Sequence, residues 1–222
     1  MAGALLVGVQ WGVFVWAPLQ GETLGLALGY FLLPLILVLT GLVLFNERLG
    51  YAQWAATALA AIAVVYSLWN TGQFSWVALV VALGYPPYFI LRRKQPVPIL
   101  SAFFIENLLL LPLAWWACVN FGEVDHAFAY DANTLLMFFG VGVLGSLGML
   151  ALLIASKRLP MALFGLLGYL EPPLIVLVAI IGIGEQIHPG ERLTYLLIFL
   201  AIILLALDSA LKWFKFRRRY QS

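Results

Sequence analysis

The chain has 222 residues, 64% of them hydrophobic and only 10% charged, with a mean hydropathy of +1.02. A soluble domain of this size needs far more polar surface, so the composition excludes one and calls for a multi-pass membrane protein. With one cysteine (Cys118) and two histidines in loop-like stretches (His126, His188), nothing supports an internal disulfide, a metal centre or another cofactor.

The opening MAGALLVGVQ has no basic n-region and no convincing cleavage site, so it reads as an uncleaved first helix. Apolar runs long enough to cross about 30 Å of hydrocarbon lie near residues 2–18, 23–45, 52–70, 74–92, 99–120, 134–156, 161–183 and 192–213. They predict an all-α polytopic bundle of about eight transmembrane helices, joined by short loops except around residues 121–133. Trp54, Trp69, Trp76, Trp115, Trp116 and Trp213 mark span ends, as an interfacial belt does, whereas Trp11 falls near the middle of the first span.

Eight alternating spans divide the loops into two sides. Arg48, Arg92, Arg93, Lys94, Lys157, Arg158, Lys212, Lys215, Arg217, Arg218 and Arg219 share one side with both termini. The other side holds Arg192 with the acidic Glu123, Asp125 and Asp131. By the positive-inside rule both termini are expected in the cytoplasm. The basic tail at 214–222 reads as a topology anchor on anionic lipid, with no role for nucleic acid.

The second span returns near the seventh. PLILVLTGLVLFNERL from Pro34 aligns without a gap on PPLIVLVAIIGIGEQI from Pro172, and Ala17 and Ala155 keep the same offset. One copy is expected to run inward and the other outward, an inverted repeat of the kind secondary transporters build around a midplane site. Residues 1–70 would form a first repeat of three helices, and residues 74–213 a second of five. Two helices therefore lack a counterpart.

Intramembrane ionisable groups cost a few kcal/mol each and are functional by default. Glu171 stands near the centre of the seventh span; Glu106 and Asn107 lie about a third of the way along the fifth, toward the cytoplasm. With no lysine or arginine expected at that depth, neither acid has an evident ion-pair partner. Such a carboxylate escapes its desolvation cost by taking up a proton, which suits proton coupling or a cationic substrate. The structural alternative is a protonated acid hydrogen-bonded between helices. Pro172 and Pro173, following Glu171, each lack an amide N–H and release the carbonyls of Gly168 and Tyr169. Pro86 and Pro87 beside Tyr85 make a second expected break, and Pro34 a milder one. Freed carbonyls are tolerated only inside protein or against a wet cavity. Trp11, Tyr85, Tyr169 and Glu171 are the expected cavity lining, with Gln10 and Tyr30 as weaker candidates. Small-residue spacings at Gly8 and Gly12, Gly25 and Gly29, and Gly140, Gly142, Gly145 and Gly148 read as helix packing.

WGVFVWAPLQG, LGYFLLPLILVLTGLVLFNERL, QWAATALAAIAVV, IENLLLLPLA and GYLEPPLIVLVAIIGIGE follow one another in an order that resembles the drug/metabolite transporter superfamily, closest to its EamA-type, RarD-like branch. The resemblance implies ten helices in two inverted halves, an inner-membrane location, and export of a small metabolite or drug. It also implies that the first two helices are absent here. Leu19 and Leu33 stand where the branch usually carries polar residues, and the carboxylate in YLEPP is closer to the broader EamA pattern. The expected function is an alternating-access, proton-coupled exporter and not an enzyme; the alternative is a truncated, non-transporting subunit with an assembly or regulatory role. The expected partners are the bilayer, a small-molecule substrate, and either a second copy of the chain or the absent helix pair.

Overall fold

The computed structural model describes residues 1–71, 75–121, 131–171, 174, 190 and 192–219, without the side chains of residues 24, 70, 71, 121 and 209–219. Pro172, Pro173, Glu185, Glu123, Asp125 and both histidines lie outside the described residues. Every regular element among those described is an α-helix: α1 (Ala2–Leu19), α2 (Thr23–Leu44), α3 (Tyr51–Thr71), α4 (Trp76–Lys94), α5 (Ile99–Phe121), α6 (Ala132–Arg158), α7 (Met161–Gly168) and α8 (Arg192–Arg219). Five are long and apolar enough to cross a membrane: α1, Gly25–Leu44 of α2, Tyr51–Trp69 of α3, Ile99–Asn120 of α5, and α6. The chain is a polytopic helical membrane protein.

Helix ends follow local chemistry. Gly21, at φ 77°, is the left-handed residue that closes α1, and the Glu22 N–H turns back to the Ala17 carbonyl at 2.8 Å. Asn46, at φ 50°, does the same after α2, since asparagine tolerates the left-handed region better than other side-chain-bearing residues. Gln53 reaches back to the Gly50 N–H at 2.9 Å, one half of a capping box for α3. Asp131 caps α6 by accepting from the Thr134 N–H at 3.2 Å and from the Thr134 hydroxyl.

The helices form two compact units, divided between Trp11 and Gly12 within α1 and between Pro86 and Pro87 within α4. α4 runs as one helix through its proline pair, and α2 through Pro34. In the unit of residues 12–86 and 159–222, α2 packs on α7 and α3 on α8. A Cβ on Gly41 would meet Ala162, one on Gly165 would meet Pro34, Leu37 and Val38, and one on Gly168 would meet Pro34. The Tyr169 hydroxyl donates to the Phe31 carbonyl at 2.9 Å. These contacts descend α2 as they climb α7, so the two helices are antiparallel. Phe31 and Tyr169 stand 138 residues apart, the offset that relates Pro34 to Pro172. The expected repeat relates α2 to the span that α7 begins, and α2 and α7 touch. Ala56, Ala60 and Ala63 of α3 are fully buried against Ile198, Ala201 and Leu205 of α8 and their neighbours, small residues where backbones must approach closely.

In the other unit, residues 1–11 and 87–158, α5 contacts α6, and Gly8 lies against Leu110. The Lys157 ammonium clamps the α4–α5 loop by donating to the carbonyls of Gln95 (3.2 Å) and Val97 (3.1 Å). The expected packing holds at Gly8, Gly25 and Gly29. Gly12, Gly140, Gly142, Gly145 and Gly148 instead face open space among the described residues, a correction to the small-residue reading. Spacing alone marks a smooth helix face, not what covers it.

Candidate functional site

α7 is fixed at its start by a side chain from far away in sequence. The Glu47 carboxylate accepts from the Met161 N–H at 2.6 Å and the Ala162 N–H at 2.8 Å. Two of the four orphan donors at a helix N-terminus are thereby satisfied by an anion, which the helix dipole also favours. Pro160, at the N-cap position, supplies no such bond. The Glu47 N–H returns to the Gly41 carbonyl at 3.0 Å, and a side chain on Gly41 would occupy the carboxylate's place.

Eight residues later the ladder gives way. The Tyr169 N–H bonds to the Leu166 carbonyl (3.2 Å) and the Leu170 N–H to that of Leu167 (3.0 Å), three-residue steps in place of four. The ladder thus tightens at Tyr169 and Leu170, just before Pro172 and Pro173, which lie outside the described residues. Glu171 follows it directly, with an exposed side chain. Tyr30 of α2 and Tyr85 of α4 lie within electrostatic reach of it. The rings of Tyr30 and Tyr85 lie 6.2 Å apart, and Phe14 of α1 meets Tyr30 edge-on at 6.1 Å. Among the described residues no cation sits against Glu171. Tyr169 points elsewhere: it is buried among Ala60, Ala63 and Ile198, its hydroxyl held by Phe31.

A second polar cluster occupies the other unit. Glu106 of α5 is 4% exposed and pairs with Arg92, in the last turn of α4, whose residue exposure is 6%. The Tyr88 hydroxyl donates to Glu106 Oε2 at 3.0 Å, and the Arg92 guanidinium lies 5.6 Å over the Tyr88 ring. Arg92 also donates to Gln95 Oε1 at 3.3 Å. Gly3 of α1 comes so close to Glu106 that a side chain there would collide with the carboxylate. This overturns the expectation that Glu106 lacks an internal partner. α4 continues to Lys94, and a long guanidinium stem two residues from its end reaches back to an acid two turns into α5. Arg92 and Tyr88 are the residues sequence reasoning missed. The separation of Arg92 and Glu106 across a short helical hairpin was the available signal. Asn107 is half-buried, and its amide donates to the carbonyl of Phe103 in its own helix at 2.8 Å. Gln10 is buried and Trp11 half-buried, both on the α1 segment of this unit.

The described residues hold no group of three or more His, Cys, Asp or Glu side chains able to bind a metal ion. No family model matches the chain. Over 207 residues it is 47% identical to the chloramphenicol-sensitive protein RarD of Pseudomonas aeruginosa, spanning 93% of this chain and 69% of that protein. The chain belongs to the RarD-like branch of the drug/metabolite transporter superfamily. An uncharacterized transporter of the same organism is 34% identical over 219 residues, 98% of this chain and 72% of the relative. Protein RarD of Salmonella typhimurium is 31% identical over 210 residues, 93% and 71%. Relatives named as transporters make the RarD-like chain a membrane transporter and point away from an enzyme.

Proposed function

We propose that this RarD-like protein is a secondary transporter that exports a small metabolite or drug across the inner membrane by alternating access, coupled to protons through Glu171. The observation that carries the reading is a carboxylate with no counter-charge among the described residues, placed where the ladder of α7 gives way. A group that can lose and regain a proton there supplies a switchable charge in a region that tolerates charge only for function. The antiparallel pairing of the repeat-related α2 and α7 supports an inverted architecture that can open to either side in turn. The segregation of basic residues supports cytoplasmic termini.

The test is flux in everted membrane vesicles under an imposed pH gradient, for wild type, Glu171→Gln and Glu171→Leu, over a panel of antibiotics and amines. Glutamine keeps size and hydrogen bonding but cannot titrate, so gradient-driven flux should vanish while the membrane level of the protein stays near wild type. Unchanged pH dependence in the glutamine variant would sink the coupling role and leave Glu171 as interhelical glue.

A further inference from the structure

A carboxylate at each end of α2 holds the start of a different helix, and the two attachments are unlike. After α2, Glu47 caps the start of α7, and Gly41, Val38, Leu37, Pro34 and Phe31 then meet α7 and Tyr169 over about three turns. Before α2, Glu22 holds the start of α4. The Ser75 hydroxyl donates to Glu22 Oε2 at 2.7 Å while accepting from the Val77 N–H at 3.1 Å. The residue that caps α4 is thus itself gripped from the turn between α1 and α2. Below this bond, a side chain on Gly25 would strike Ser75 and Glu22, and one on Gly29 would strike Val81 and the Ala78 carbonyl. One residue further along α2, the rings of Tyr30 and Tyr85 lie 6.2 Å apart. All these residues belong to one compact unit.

We propose that the Glu22–Ser75 bond is the clasp of an outer gate: the seam between α2 and α4 parts toward the extracytoplasmic side, while α2 and α7 stay joined. The device deepens the alternating-access reading above and rests on it. On the expected topology Glu22 and Ser75 share the side away from the basic cluster. In lipid, apolar helix faces gain little by touching each other, because the acyl chains are as apolar as they are. Gly25 and Gly29 give α2 a smooth face with no side chain of its own to interlock with α4, so parting there needs no change of rotamer on α2. A directional, charge-assisted bond at the rim of such a seam decides whether it is closed. The attachment to α7 lacks that freedom. Two backbone N–H groups are bound to Glu47, and Gly165 is set against the Pro34 carbonyl and the Val38 nitrogen.

The gate is tested on the full chain in right-side-out membrane vesicles, with Cys118→Ser removing the native thiol and Val81→Cys placed beneath the clasp. Val81 is 1% exposed and faces Gly29, so a membrane-impermeant maleimide should label the new thiol slowly. Ser75→Asp keeps a cap for α4 but sets two carboxylates together, and should speed labelling about three- to tenfold. Adding Glu22→Gln, whose amide donates to that aspartate, should slow it again. Glu47→Ala, at the other end of α2, should leave the rate unchanged, and every variant is first checked for its membrane level. No change in Ser75→Asp, no recovery in the double variant, or an equal rise in Glu47→Ala overturns the proposal. Without Val81→Cys, the pair Glu22→Cys and Ser75→Cys, oxidised to a disulfide, should stop gradient-driven flux until it is reduced. The two readings fail separately. Labelling that follows the clasp in a chain without flux would refute transport and leave the clasp standing. Flux that persists through the disulfide would refute the gate and leave transport standing.

Discussion

Removing one member of the Arg92–Glu106 pair should harm the protein more than removing both. The two side chains are 7% and 6% exposed, so truncating either leaves an uncompensated buried charge, at a cost of about 3–5 kcal/mol. The structure ranks the two within that range. Arg92 stands two residues from the end of α4 and can swing toward water once its partner is gone, which puts Glu106→Leu near the lower limit. Glu106 lies seven residues into α5, about 10 Å along it, with Gly3 against the carboxylate. Arg92→Met therefore belongs near the upper limit. Replacing both by Met and Leu removes the desolvation of two ions along with their attraction and should return stability to within about 1–2 kcal/mol of wild type. The orphaned Tyr88 hydroxyl accounts for about 1 kcal/mol of that residue. For a chain of this length each kcal/mol moves a melting midpoint by about 2–4 °C. Thermal unfolding in detergent should show single-variant losses of about 6–20 °C and a double variant several degrees above either. If the two losses simply add in the double variant, the side chains are not coupled and the pair is incidental to the fold.

Gly165→Ala should loosen α7 from α2, because the new Cβ would sit 2.7 Å from the Pro34 carbonyl oxygen, a backbone atom that cannot rotate away. A loss of about 1–3 kcal/mol follows from such overpacking, whereas Gly140→Ala, which meets nothing, should leave the melting midpoint unchanged; equal effects would contradict the packing. Asp131 tests the cap of α6: the Thr134 hydroxyl first, then backbone N–H groups, hold its carboxyl below the usual carboxylate range. A lowered value in the folded state means the cap acts at neutral pH and is lost as pH falls through that value. Asp131→Ala should thus speed hydrogen exchange at the Thr134 amide near neutrality and have no effect in acid, and an equal effect at both would refute the cap.

How much of this was legible in the sequence depended on whether the signal was local. Span positions follow from runs of apolar residues, and the helices begin and end within a few residues of expectation, except that α8 runs on to Arg219 and α7 stops at Gly168, most of the rest of its expected span lying outside the described residues. The stop lies one turn before Pro172 and Pro173, which themselves fall outside the described residues. The other proline pair carried the same local signal and left α4 continuous, so a missing donor permits a break without requiring one. Gly41 and Gly165 were illegible for a different reason: each is a lone glycine in an apolar run, and only its partner across the helix pair shows why a side chain is excluded. Glu47 was illegible for the same reason, since the helix start it caps lies more than a hundred residues away. The two acids looked alike in sequence because each is a carboxylate in an apolar helix. What separates them is the reach of one arginine from a neighbouring helix end, which meets Glu106, whereas among the described residues no cation meets Glu171.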